Sequence, residues 1–124
     1  MLAIALRDGR DRYAPGETLE GSLSWSLDHE PEALEVRLFW HTSGKGTRDV
    51  GIADVLRLSR PGAASEGGTF RFRVPEGPYS FSGTLITLAW AVEAVVEPSL
   101  ESAALGLVVS PTGREIVLTP LSTA

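Results

Sequence analysis

A strict two-residue alternation runs through the third quarter of the chain and constrains its fold more than any other feature. Successive side chains of a β-strand point to opposite faces of the sheet, so such a pattern predicts a long strand with one buried face. The predicted buried face carries only apolar residues: Ile86, Leu88, Trp90, Val92, Ala94 and Val96. The opposite face is mixed: Thr87, Ala89, Ala91, Glu93 and Val95.

The same alternation recurs in shorter segments that are separated by turn residues about every ten positions. Pro15-Gly16 predicts a type II turn, because proline presets φ at the second position and glycine accepts a positive φ at the third. Gly21 falls in the apolar phase of the next strand and indicates a bulge or a closely packed neighbour. Arg60–Gly68 is expected to be a loop, and Val108–Val109 with Ile116–Leu118 a final hairpin.

About eight strands and no helical periodicity predict a single all-β domain over residues 1–124. The expected fold is an immunoglobulin-like, antiparallel two-sheet sandwich. Trp25, Trp40 and Trp90 all fall in inward phases, so we expect them in the core between the sheets.

Composition narrows the possible functions. A net charge of −5 argues against a nucleic-acid partner, which would require a basic surface. The chain has no cysteine, hence no disulfide and no thiolate chemistry. The apolar N-terminal stretch Met1–Leu6 is too short for a signal peptide or a membrane span. We expect a cytoplasmic protein.

No catalytic or metal-binding motif stands out, and we expect no catalytic residues, no metal and no cofactor. There is no G-x-S-x-G elbow. His29 and His41 lie at opposite ends of one predicted strand, too far apart to share an ion. The enzymatic alternative requires a pocket that joins His41 to Asp49 or another carboxylate, with Ser43 as the nearby hydroxyl.

A binding surface is predicted on the outer side of two strands. Arg37, Phe39 and His41 alternate on the outward face of the strand that begins at Ala33. Ala89 and Ala91 point outward from the long strand at residues 86–96. A mildly apolar outer sheet face needs a cover, which could be another protein or a terminal segment of the chain itself.

Three segments carry a family resemblance. They are Y-A-P-G-E-T-L-E-G-S-L (Tyr13–Leu23), A-L-E-V-R-L-F-W (Ala33–Trp40) and V-P-E-G-P-Y-S-F-S-G (Val74–Gly83) with the strand that follows it. These sequence motifs resemble those of the arrestin-like fold family, which includes the arrestin N-terminal domain, retromer-type sorting proteins and bacterial sporulation-control proteins. The resemblance covers roughly residues 13–96. It implies a non-catalytic adaptor or regulator.

Most family members pair two sandwiches, and this chain has room for one. No basic element matches the receptor-phosphate sensors of arrestins, so that activity is not carried over. We therefore expect a protein–protein interaction module with an unknown partner, able to self-associate through a sheet edge or the outer face. The alternative is a small-ligand or carbohydrate-binding module, for which Phe39, Tyr79 and Phe81 are the available aromatics.

Overall fold

The alternating segments form β-strands throughout. The computed structural model describes residues 1–44, 48–59, 65–82, 86–112, 114 and 116–117. Ten strands lie in this part of the chain: β1 (Leu2–Leu6), β2 (Arg12–Tyr13), β3 (Thr18–Ser26), β4 (Ala33–Gly44), β5 (Val50–Ser59), β6 (Ser65–Arg73), β7 (Phe81–Ser82), β8 (Ile86–Glu97), β9 (Ser102–Val109) and β10 (Ile116–Val117).

The strands form two sheets. The smaller sheet has the order β1-β3-β6, and all of its pairings are antiparallel. In the larger sheet β10-β7-β8-β4-β5 are neighbours, and β9 joins β8 to β2. The predicted all-β two-sheet sandwich is confirmed.

Apolar residues of both inner faces fill the space between the sheets. Trp90, Leu38 and Val92 of the larger sheet are at most 1% exposed, and Leu19 and Phe72 of the smaller sheet are buried to the same degree. The Trp90 indole also donates a hydrogen bond of 2.8 Å from Nε1 to the Pro78 carbonyl, so its one polar atom is satisfied inside the core. Burial of one residue in two along the central strands β3, β4 and β8 therefore explains the sandwich.

The tryptophan prediction holds for two residues of three. Trp25 and Trp90 are buried, whereas Trp40 is only half-buried at the margin of the core. Trp40 pairs with Gly51 of β5, and its indole occupies the space that a side chain at Gly51 would fill, 2.2 Å from the ideal Cβ position. Trp40 is less covered because β5 is the outermost strand on its side of the sheet.

Two glycine interpretations are confirmed. Gly16 has φ +84° and follows Pro15 in a turn that the Glu17 amide closes by donating to the Ala14 carbonyl at 3.1 Å. Gly21 leaves room for its neighbour, since a Cβ there would lie 2.3 Å from the Phe70 ring. The register of β3 shows no bulge at Gly21, so close packing is the reason for the glycine.

Two predictions about the second half of the chain are wrong. Ser65–Gly68 belongs to β6, because the edge strand extends to pair with Ser26 of β3; residues 60–64 of the expected loop lie outside the described residues. β10 does not form a hairpin with β9 but pairs in parallel with β7. The sequence pattern identified the strand, but which edge it joins depends on the pairing of the rest of the sheet.

Candidate interaction surface

The register of β4 and β8 brings all five predicted surface residues together. Phe39 is directly opposite Ala91, and His41 is directly opposite Ala89. Arg37 continues the outward-facing row of β4. Residues directly opposite one another on antiparallel strands share a face, so these side chains form one continuous patch on the outside of the larger sheet.

Strand β5 extends this patch with side chains that the sequence pattern did not reveal. Val50, Ile52 and Val55 pair with His41, Phe39 and Arg37 respectively. Their exposed fractions are 61%, 57% and 39%, which are high values for aliphatic side chains. The alternation is interrupted in β5 because the register shifts opposite Leu38/Phe39, so a simple period of two does not identify its outer face.

On the other side of β8, the patch continues onto β9, where Ala104 pairs with Glu93 and Gly106 with Ala91. Val108 follows in the same phase of β9. We define the apolar sheet face as the outward residues that these four strands contribute: Phe39 and His41, Val50, Ile52 and Val55, Ala89 and Ala91, and Ala104, Gly106 and Val108.

Side-chain size falls sharply across the apolar sheet face. One row runs Ile52, Phe39, Ala91, Gly106 from β5 to β9. Ala91 is only 8% exposed, and a Cβ added at Gly106 would meet no heavy atom within 4 Å. In this row the face therefore has a ridge formed by β5 and β4 beside a trough formed by β8 and β9.

An ion-pair network lies at one end of this sheet face. Arg57 of β5 pairs with Glu35 at 3.2 Å and with Glu97 at 3.0 Å. The hydrogen bond from the Arg57 guanidinium holds the pKa of Glu97 below its ordinary value. Because the opposite charges neutralise one another here, this end is polar but carries no strong field.

Next to this network, Arg37 and Glu93 lie directly opposite each other but do not pair. Arg37 instead donates from Nε to Glu35 at 2.8 Å. Glu93 is half-buried and has no hydrogen bond or ion pair within the described part of the chain. Carboxylates that are removed from water normally have a hydrogen-bond or ion-pair partner, so Glu93 is an unusual group on this sheet face.

The residues of the enzymatic alternative are not assembled. Asp49 bonds to Thr42, donating its amide to the Thr42 hydroxyl at 3.0 Å and accepting the Thr42 amide at its carbonyl at 2.9 Å. Nδ1 of His41 is buried without a hydrogen-bond partner among the described residues, and its ring lies 6.1 Å from that of Phe39. Neither Asp49 nor Ser43 therefore orients His41 as a general base.

Two aromatics of the carbohydrate-binding alternative, Phe39 and Phe81, lie on opposite sides of the larger sheet. Phe81 pairs with the buried Leu88 and packs against the core. Phe39 faces outward on β4, and Tyr79 lies in the segment before β7. The three rings do not form a common platform.

The outer face of the smaller sheet has a different character. Small and polar residues cover it, including Ser22, Ser24 and Thr69. Glu20 lies among them, between Arg7 at 2.6 Å and Arg71 at 2.8 Å. The hydrogen bond from Arg7 lowers the pKa of Glu20. This face is compatible with water and needs no cover.

In residues 1–44, 48–59, 65–82 and the other described positions, no three histidine, aspartate or glutamate side chains come together as a metal site. The same residues include no helix with the length and apolar character needed to span a membrane.

Fold and surface together define an all-β two-sheet sandwich with one apolar and one polar outer face. No protein-family model matches the chain, and no curated protein matches its sequence.

Proposed function

We propose that this chain is a cytoplasmic, non-catalytic protein–protein interaction module on an arrestin-like sandwich, serving as an adaptor or regulator. The apolar sheet face is its docking surface. The observation that carries the proposal is the exposure of Val50, Ile52 and Val55 beside Phe39 on one side of the larger sheet.

The size of the apolar sheet face supports a docking role. It extends over four strands and three rows, the third of which also carries the charged Arg37 and Glu93. Strand spacing of about 4.8 Å with a row pitch of about 6.7 Å gives roughly 400 Å² for the three rows together. Patches of this size are near the largest that monomeric proteins expose, and they are often functional. The outer face of the smaller sheet has no comparable set of aliphatic side chains among its described residues.

The face is a better docking site than the adjacent sheet edge. β5 is the edge strand, and it carries two features that oppose the addition of another strand. Its register against β4 shifts at Leu38/Phe39. Asp54 lies opposite the buried Leu38, so the Asp54 charge would face the inner side of any sheet that was extended beyond β5. Bulges and inward charges are the usual means by which proteins block edge pairing.

The arrestin-like part of the proposal is supported by the positions of the motifs. The Pro15-Gly16 turn precedes β3, and the Val74–Ser82 stretch precedes β8, the strand at the centre of the larger sheet. In the family that the sequence resembles, the same turns precede the same kinds of strand. The binding role follows from that resemblance and from the exposed face together.

A retention experiment tests this function. Wild-type protein, the double variant Phe39→Ser/Ile52→Thr and the control Ser24→Ala on the polar face are immobilised and exposed to lysate of the source organism. We expect proteins that are retained by wild type and control but lost by the double variant. If all three columns retain the same proteins, or none, the apolar sheet face is not a docking surface and the proposed function is wrong.

A further inference from the structure

We propose that the apolar sheet face binds a second copy of this chain, face to face, about a twofold axis that lies between β4 and β8 and runs parallel to them. This inference rests on the proposed function, since it names the partner of the same surface. Its basis is that the face is complementary to itself in shape and in charge.

The two copies fit in shape because of the symmetry that relates them. Rotation about an axis parallel to the strands exchanges the two sides of the sheet face and preserves the level along the strands. The ridge of one copy therefore meets the trough of the other in the same row. Phe39 lies over the partner's Ala91, and Ile52 lies over the partner's Gly106.

The two copies also match in charge, in the next row along the strands. Arg37 and Glu93 are directly opposite in register, so the same rotation places Arg37 over the partner's Glu93, and the contact occurs twice. Arg37 engages Glu35 through Nε alone in the described structure. The Arg37 guanidinium therefore has nitrogens left for a second carboxylate, and Glu93 has no partner among the described residues of its own chain. The second copy supplies that partner.

The other face-to-face arrangement is disfavoured. A twofold axis perpendicular to the strands would place each strand over its own copy. With that axis at the Arg37 row, Arg37 would meet the partner's Arg37, and with the axis at the Phe39 row, Phe39 would meet the partner's Phe39. In either case the troughs would face each other across a gap. Like charges in contact and unfilled space both oppose association.

The area indicates how strong the pairing is. Four strands about 4.8 Å apart and the four rows from Glu35 to His41 cover roughly 500 Å² per copy. About 1,000 Å² in total is at the lower limit for specific association. We therefore expect a weak, reversible dimer rather than a permanent one.

Charge reversal tests the arrangement by sedimentation equilibrium over about 5–500 μM. Arg37→Glu alone opposes a carboxylate to the partner's Glu93, and Glu93→Arg alone opposes two guanidinium groups. Each variant should dimerise at least about tenfold more weakly than wild type. The control Arg73→Glu reverses a charge on the outer face of the smaller sheet and should dimerise like wild type.

The decisive sample is an equimolar mixture of the two variants. In a mixed dimer, both twofold contacts again join opposite charges, so association should recover to near the wild-type constant. A variant that merely folds poorly cannot be rescued by mixing, because each monomer is unchanged. A mixture that associates no better than the single variants overturns the proposed axis.

Failure of this inference is distinguishable from failure of the proposed function. If wild type is monomeric at 500 μM but lysate proteins still depend on Phe39 and Ile52 for retention, self-pairing is wrong and the interaction module stands. If wild type is monomeric and nothing depends on those residues, both are wrong.

Discussion

The outer faces of the two sheets differ, although their inner faces are built alike. Both inner faces bury alternating aliphatic and aromatic residues at close to zero exposure. Outside, the smaller sheet presents serine, threonine and the Arg7–Glu20–Arg71 ion pairs, whereas the larger sheet presents Phe39, Ile52 and their apolar neighbours. The inner faces are required by the fold. The outer faces are not, so the difference between them carries information about function.

The largest expected effect is a difference in stability between a substitution on the inner side of the larger sheet and one on its outer side. Trp90→Ala should lower the free energy of unfolding by about 3–5 kcal/mol, because it empties a fully buried site. Phe39→Ala, in the neighbouring strand but on the outer side, should cost about 1 kcal/mol or less. Urea unfolding at low micromolar protein concentration measures both on the monomer. Equal costs for the two variants would show that Phe39 belongs to the core rather than to a docking surface.

An intermediate effect is expected from two glycines, one inside the smaller sheet and one outside the larger. Alanine at Gly21 would place Cβ 2.3 Å from the Phe70 ring and 2.6 Å from the Ala5 carbonyl oxygen, so Gly21→Ala should destabilise by about 1–3 kcal/mol. Gly106→Ala meets open space and should be neutral or stabilising by up to about 1 kcal/mol. Thermal unfolding of the two variants checks this, and a cost for Gly106→Ala similar to that of Gly21→Ala would contradict the open trough.

The smallest expected effect concerns the arginine–glutamate ion pairs that both outer faces carry. The pKa of Glu20 is lowered chiefly by the hydrogen bond from Arg7, and that of Glu97 by the hydrogen bond from Arg57. A folded-state pKa below the unfolded value contributes stability that is present above the ordinary glutamate pKa of about 4.3 and lost as pH falls toward the folded value.

Glu20→Gln and Glu97→Gln should each make stability less dependent on pH below about pH 5, by a small amount because both ion pairs are exposed. Urea unfolding between about pH 5 and pH 3 measures this, with Glu30→Gln in an exposed loop as the matched control. A pH dependence that is unchanged from wild type in both variants would mean that these ion pairs contribute nothing on either face.

Much of the fold could be predicted because alternation is a property of single strands. The Leu19–Trp25 and Leu88–Val96 phases identified the buried sides correctly, and the turn at Pro15-Gly16 followed from local backbone chemistry. β5 was harder to interpret, since an edge strand with a register shift has no single buried phase. The partner of β10 could not be predicted, because a two-residue strand contains no information about which edge it joins.

For the predicted surface, too, the sequence determined some features and the tertiary structure decided the others. That Arg37, Phe39 and His41 face away from the core was determined by the sequence, as was the outward phase of Ala89 and Ala91. Only the tertiary structure decided that Phe39 lies beside Ala91 and Ile52 beside Phe39, and that Arg37 lies opposite Glu93, which has no ion-pair partner in the described part of the chain. The physical reason is that the direction of a side chain depends on local backbone geometry, while its neighbours across strands depend on register and sheet order. Those are set by the packing of segments that are far apart in the chain.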